Sequence, residues 1–257
     1  MYIDVVFCPD ELASRGDIST KSVVIIDVLR ATTTIAYALW GYRTDETDGI
    51  KGCKKVIPVE SIERAYEEFN RLCKEKTLIA GERFCLKPEG FDLGNSPSEY
   101  TIDKVKDKVI VFSTTNGTKA LKLAEKAKFI TTASFINASA CTQRVIQEKN
   151  DVIILCAGRS GKTTMEDSCC AVLIAELLFK RCQENNRKFE LSDSADIAIK
   201  YLNHYKGKLI ELLESSEAGK NLIEVGLETD LKDCATIDAL PIYTEYSYGS
   251  IKAGIIS

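Results

Sequence analysis

Chemistry that joins a hard cation to an anion needs carboxylates beside guanidinium groups and backbone donors, and four stretches of this chain supply them. The first, Asp27-Val28-Leu29-Arg30-Ala31-Thr32-Thr33-Thr34, follows the apolar run Val23 to Ile26. It sets a carboxylate, a guanidinium and three hydroxyls at the start of a helix. Carboxylate oxygen suits Mg²⁺, whereas arginine and a helix N-terminus suit phosphate. Capping alone accounts for Asp27 and the threonines but leaves Arg30 unexplained.

The second stretch is Gly81-Glu82-Arg83, then Lys87, then Gly90-Phe91-Asp92-Leu93-Gly94-Asn95-Ser96-Pro97. Its length without regular pattern marks a functional loop rather than a simple connection. The third, Ser113-Thr114-Thr115-Asn116-Gly117-Thr118, clusters hydroxyl and amide donors that open onto a helix. Asn-Gly by itself makes a turn; an anion-binding helix start is the sharper reading. The fourth runs from Cys156 through Gly158-Arg159-Ser160-Gly161-Lys162-Thr163-Thr164 to Glu166-Asp167. Its glycine-rich half can wrap an oxyanion, and its two acids can reach a cation. The P-loop pattern G-x-x-x-x-G-K-[ST] is incomplete here, because Cys156 stands where a glycine is required. A strand-terminal aspartyl phosphatase of the haloacid dehalogenase type needs a second acid where Leu29 stands.

The elements that must position these loops follow from periodicity. Short apolar runs at Val23 to Ile26, Lys55 to Ile57, Thr77 to Ala80, Lys108 to Phe112, Phe129 to Thr131 and Asp151 to Leu155 read as buried strands. Helical spacing fills Thr32 to Trp40, Ser61 to Cys73, Thr118 to Ala127, Asn137 to Glu148 and Met165 to Cys182. This alternation predicts an α/β fold, three-layered α/β/α, with a largely parallel or mixed sheet. Ligands of such sheets bind at the carboxyl ends of the strands, where all four loops lie. Beyond Phe189, Ala195 to Leu213 and Glu217 to Val225 read as helices, and Asp230 to Ser257 as short strands with turns at Pro241, Gly249 and Gly254.

Composition excludes several classes. A hydrophobic fraction of 45% and a charged fraction of 28% describe an ordinary globular chain, and no apolar run is long enough to span a bilayer. Met1-Tyr2-Ile3-Asp4 does not begin a signal peptide, so the cytoplasm is the expected compartment. A net charge of -4 without a basic block removes the footprint of nucleic-acid binding. The ten cysteines form no C-x-x-C pair, which argues against a zinc site or a disulfide framework. Cys73, Cys141, Cys169, Cys170 and Cys182 are expected on helices as small core hydrophobes. The single histidine, His204, lies far from every glycine-rich loop and leaves oxygen ligands for any metal. A homo-oligomer is compatible with the chain, although no patch specifies one.

Taken together and in this order, Asp27-Val-Leu-Arg-Ala-Thr-Thr-Thr, Gly81-Glu-Arg, Gly90-Phe-Asp-Leu-Gly-Asn-Ser-Pro, Thr114-Thr-Asn-Gly-Thr and Gly158 to Asp167 closely resemble the 2-phosphosulfolactate phosphatase family. Two stretches depart from its pattern: Lys162-Thr163-Thr164 is more basic, and Phe84-Cys85-Leu86 is bulkier. The resemblance spans roughly residues 1 to 250, and because composition does not shift along the chain, residues 1–257 read as a single phosphosulfolactate phosphatase-like domain. It further implies a Mg²⁺-dependent hydrolase converting (2R)-2-phospho-3-sulfolactate to 3-sulfolactate and phosphate, a step in coenzyme M biosynthesis.

For that reaction the expected roles are as follows. Asp27, Glu82 and Asp167, with Glu166 in reserve, hold Mg²⁺. Arg30, Arg83 and Arg159 grip a small substrate carrying three anionic groups, with Lys87 as a fourth contact. Thr114, Thr115, Asn116, Gly117, Thr118, Gly158 and Gly161 complete the oxyanion cradle, and Asn95 and Ser96 position substrate or water. Metal-activated water is the expected nucleophile, with direct attack by Asp27 and acid or base action by Asp92 left open. Two other classes remain: a nucleotide-binding module using Lys162 and Thr163, and a non-catalytic binder of sulfonated or phosphorylated acids.

Overall fold

The computed structural model describes residues 1–42, 49–202 and 207–256, apart from the side chains of 201 and 202. Among the described residues, ten strands divide between two five-stranded sheets. The first has the order β6 (Phe129–Ala133), β2 (Ser22–Ile26), β7 (Val152–Cys156), β1 (Tyr2–Val6), β8 (Glu190–Leu191), and all its pairings are parallel. The second has the order β4 (Thr77–Gly81), β5 (Val109–Ser113), β3 (Lys55–Val59), β10 (Ser250–Ile255), β9 (Ile242–Ser247). There β3, β4 and β5 are parallel, and β10 and β9 add an antiparallel hairpin.

Alternation of side chains along the strands explains the layering. In β2, Val23 and Ile25 face a core shared with Val56, Ile110 and Phe112 of the second sheet, while Val24 and Ile26 face the opposite side. The helix α1 (Ala31–Trp40) is buried over all ten residues because it lies in that shared core. The outer face of the first sheet is covered by α5 (Ala138–Glu148), α6 (Met165–Glu184) and α7 (Asp193–Leu202). The outer face of the second packs Ile79 and Val111 against Ala65 of α2 (Ile62–Arg71), while α3 (Ile102–Val105) precedes β5 and α4 (Gly117–Ala124) follows it. At one margin the Thr244 hydroxyl bonds both the N–H (2.9 Å) and the carbonyl (2.8 Å) of Thr132, which fastens β9 to the edge strand β6.

The α/β class, with helices layered on parallel and mixed sheets, is as the sequence predicts, but two sheets share the strands expected of one. The strand β1 was not foreseen, since Asp4 interrupts its apolar run; that carboxylate is held at 2.7 Å by Arg15. Ala195 to Leu213 is not one helix but contains most of α7 and α8 (Leu209–Ser215). His204 lies outside the described residues. The next helix, α9 (Glu217–Glu224), forms as expected. Asp230 to Ser257 begins not with a strand but inside a short helix, α10 (Thr229–Cys234), and Gly254 sits within β10 rather than in a turn. All ten cysteines are free; Cys141, Cys169, Cys170 and Cys182 are buried on helices, whereas Cys73 is exposed just beyond α2. No described helix is long and apolar enough to cross a membrane.

Register decides where the loops go. Ile26 is level with both Ala133 and Cys156, and Gly81 is level with Ser113. The loops that follow β2 and β7 therefore leave the first sheet together, as those after β4 and β5 leave the second.

Candidate active site

The threonines of the first loop fasten the loop itself. Thr32 Oγ1 donates to the Asp27 carbonyl (2.8 Å) and accepts the Asp27 N–H (3.1 Å); Thr33 donates to Val28 O (3.0 Å) and Thr34 to Asn95 O (2.7 Å). Asp27, only 9% exposed, accepts N–H groups from Ala31 (3.3 Å) and Gly117. A Cβ on Gly117 would stand 3.0 Å from Asp27 Oδ2, so the glycine lets the third loop close on this carboxylate. The Leu29–Arg30 peptide bond is cis.

Arg30 is buried and heavily engaged. One guanidinium nitrogen donates to Ser96 Oγ (3.0 Å) and to Asp230 Oδ2 (2.6 Å), and the other terminal nitrogen donates to Cys85 O (2.7 Å). Ser96 also donates to Asp230 (2.8 Å). Ser96 is therefore buried against Arg30 and does not line the cavity.

Gly81, at φ 142°, ends β4 where any Cβ would collide with the Ser113 carbonyl, which makes glycine obligatory at this close approach of strands. Next comes a tight turn, with Arg83 N–H to Leu86 O at 2.9 Å and the reverse bond at 3.1 Å. Its central residues Phe84 and Cys85 both have positive φ, as a two-residue turn of this hand requires. Glu82 accepts from Cys85 N–H (3.0 Å) and Thr115 Oγ1 (3.3 Å). Arg83 donates to Glu82 O, Glu60 O and Ser113 Oγ.

Asp92 and Lys87 belong elsewhere. Asp92 Oδ2 accepts the Ile79 N–H (2.9 Å), and Lys87 Nζ donates to the Asp92 carbonyl at 3.4 Å; neither lines the cavity, which corrects their expected roles. Thr118 is likewise turned inward, donating to Thr114 O (2.6 Å).

In the fourth loop Gly158, at φ 60°, allows a tight turn closed by paired Arg159–Lys162 bonds of 2.9 Å. Lys162 and Thr163 are exposed outside the cavity, and the Gly161 carbonyl accepts from Cys8 Sγ. The expected cradle role of Gly161 and the P-loop reading both lose their geometry, because the turn bonds to itself instead of opening its N–H groups to a phosphate. Asp167 ties this loop to the first: its two oxygens accept from Val28 N–H (2.8 Å) and Gly158 N–H (3.0 Å).

These loops surround one cavity of about 540 Å³. It gathers Asp27, Glu82, Glu166 and Asp167 with Arg30, Arg83 and Arg159, and adds Asn95, Thr114, Thr115, Asn116 and Gly158. Burial pushes Asp27 up to about 7, reinforced by Glu82 and Glu166. Burial also raises Asp167 well above the usual carboxylate range, with Asp27 and Glu166 adding repulsion, and burial raises Glu166. Arg30 is already balanced by Asp230, and the nearest charged partner of the third-exposed Arg159 is Glu217 at 3.9 Å. The chemistry of this donor set fits a hard divalent cation, since its crowded negative charge lacks a matching buried cation. Among the described residues, no three of these or other potential ligands are already drawn together as a metal site.

Sequence reasoning missed Asp230, Glu60, Ser61, Ala218 and Leu222 around this site. Glu60 and Ser61 follow the strand at Lys55, so the same rule that found the other loops applies to them. Asp230 gave no signal, as it sits 200 positions from Arg30.

A family model described as 2-phosphosulpholactate phosphatase matches residues 6–249. A protein of Clostridium tetani named probable 2-phosphosulfolactate phosphatase is 36% identical, over 98% of this chain and 100% of that protein. Proteins of the same name from Thermotoga maritima and Caldanaerobacter subterraneus subsp. tengcongensis are 38% and 35% identical over 92% of this chain, covering 91% and 92% of their own lengths.

Proposed function

The chain belongs to the 2-phosphosulfolactate phosphatase family, and on that premise we propose that it is a cytoplasmic, Mg²⁺-dependent phosphoric monoester hydrolase. Its substrate is 2-phospho-3-sulfolactate or a closely related anionic phosphate ester, cleaved to 3-sulfolactate and phosphate as in coenzyme M biosynthesis. One observation carries the reading: five carboxylates, Asp27, Glu60, Glu82, Glu166 and Asp167, and three arginines from loops of both sheets meet in a single cavity. A substrate with phosphate, sulfonate and carboxylate groups matches several separate cationic contacts better than a simple ester does.

Asp27, Glu82, Glu166 and Asp167 would hold Mg²⁺, which when bound supplies positive charge against the phosphoryl oxygens. Arg159, loosely held by Glu217, offers its guanidinium to an anionic substituent, and Arg83 stands fixed nearby on the rim. Thr114, Thr115 and Asn116 add polar donors. Water is the nucleophile of this reading. Burial raises the Cys85 thiol despite Arg30 and Arg159, so it stays protonated, and Asp27 is engaged by two N–H groups. Water attacks phosphorus as the bond to the leaving oxygen breaks; the hydroxyl stays on the phosphate, one water proton ends on the leaving oxygen to give the alcohol of 3-sulfolactate, and the cavity residues hold that geometry.

The test is phosphate release from 2-phospho-3-sulfolactate with and without Mg²⁺, comparing wild type with Asp27→Asn. Metal-dependent release lost in the variant is expected. Folded wild-type protein that hydrolyses no ester would leave the non-catalytic binder as the better reading.

A further inference from the structure

Arg30 is the most deeply buried arginine of the cavity, and its donors are nearly all assigned. Both hydrogens of one terminal nitrogen are used by Asp230 and Ser96, and one hydrogen of the other terminal nitrogen by the Cys85 carbonyl. The hydrogen on Nε and the last terminal hydrogen have no partner among the described hydrogen bonds, and Arg30 lines the cavity. Asp230 is 1% exposed in its side chain and Arg30 2%, so neither is screened by solvent. Asp230 comes from α10, none of whose residues lines the cavity directly.

We propose that Asp230 is a positioning residue: with Ser96 it fixes the guanidinium of Arg30, cancels its charge, and thereby presents two preoriented donors to the substrate without trapping the anionic product. The inference rests on the phosphatase reading above and concerns the same cavity. A buried pair fixed at 2.6 Å and shared with a hydroxyl holds a planar donor fork more rigidly than an arginine reaching in from the surface. Neutralisation keeps Arg30 from adding a further net charge to bind phosphate after the reaction, so the donors act by direction more than by attraction.

The test is Asp230→Asn, in which the shape is kept and the charge removed. Arg30 then gains an uncompensated charge, and its direction is held only by the weaker, neutral amide oxygen that takes the place of Asp230 Oδ2. The expected result is a split: kcat falls about tenfold, while inorganic phosphate binds about threefold more tightly by calorimetry. A folded variant with a lower melting temperature but unchanged kcat and phosphate affinity would make the pair a structural staple and overturn the proposal. Weaker phosphate binding would overturn it too. If Asp230→Asn does not fold, Ser96→Ala keeps both charges and removes the shared hydroxyl; kcat is expected to fall about threefold with phosphate affinity unchanged, and an unchanged kcat refutes the role. Should the wild type hydrolyse no phosphosulfolactate, the functional reading fails separately, and the phosphate-binding comparison still decides whether Asp230 governs Arg30.

Discussion

Asp27 can be tested through stability as well as turnover, because a carboxylate proposed to hold a metal is badly placed for folding without one. Its proton affinity rises from the ordinary value of 3.8 to about 7, chiefly by burial. The folded protein thus binds this proton more tightly than the unfolded chain. The resulting stability is complete below pH 3.8 and is lost as pH rises through about 7. At about 1.4 kcal/mol for each tenfold change in proton affinity, ionised Asp27 costs the metal-free protein about 4 kcal/mol at pH 8. At pH 5 the cost is only about 1.6 kcal/mol, since the unfolded chain is ionised but the folded carboxyl is not. Asp27→Asn removes this pH-dependent burden, and the hydrogen-bond mismatch it introduces at Ala31 or Gly117 is the same at both values. Relative to wild type, the variant should therefore gain about 2.5 kcal/mol between pH 5 and pH 8. For a chain of this size that corresponds to about 5 to 10 °C in melting temperature. The assay is thermal unfolding of both proteins in EDTA at the two pH values. A difference between them that stays flat with pH, or reverses, refutes the placement of a buried, repelled carboxylate.

Mg²⁺ should raise the melting temperature of wild type at pH 8, by about 2.7 kcal/mol of stability at a hundred times its dissociation constant, and by less at pH 5, where the ligands must first lose protons. Calorimetric scans in which Asp27→Asn gains as much as wild type would remove Asp27 from the metal set. Gly81→Ala forces a Cβ into the Ser113 carbonyl at a positive φ; urea unfolding should register a loss of more than about 3 kcal/mol, and a near-neutral change contradicts the packing. Asp92→Asn should leave kcat/KM within about threefold of wild type, because the amide can still accept from Ile79; a hundredfold loss in steady-state assays restores Asp92 to the chemistry.

Much of the site was legible because strand ends are marked locally. An apolar run followed by an acid, an arginine or glycines says where a parallel strand stops, and Asp27, Glu82, Thr114 and Gly158 all meet in the cavity on that ground. The same reasoning overreached along the loops. Asp92, Lys87 and Gly161 have suitable chemistry, but Asp92 and Lys87 each bond a nearby backbone group, and the Gly161 carbonyl is taken by the Cys8 thiol. Nor does local pattern distinguish a lysine in an open phosphate cradle from Lys162 in a turn closed on its own backbone.

By itself the sequence determined the α/β alternation, most strand and helix positions, and the motifs shared with the family, because side-chain periodicity and turn chemistry act over a few residues. Tertiary structure alone decided that the strands form two sheets with α1 between them, that β1 enters the first sheet despite Asp4, and that Arg30 finds Asp230 200 positions away. Those outcomes depend on which buried surfaces and charges meet in space. Nothing in the spacing of residues along one chain encodes a pairing between charges that become neighbours only when both sheets have closed around the shared core.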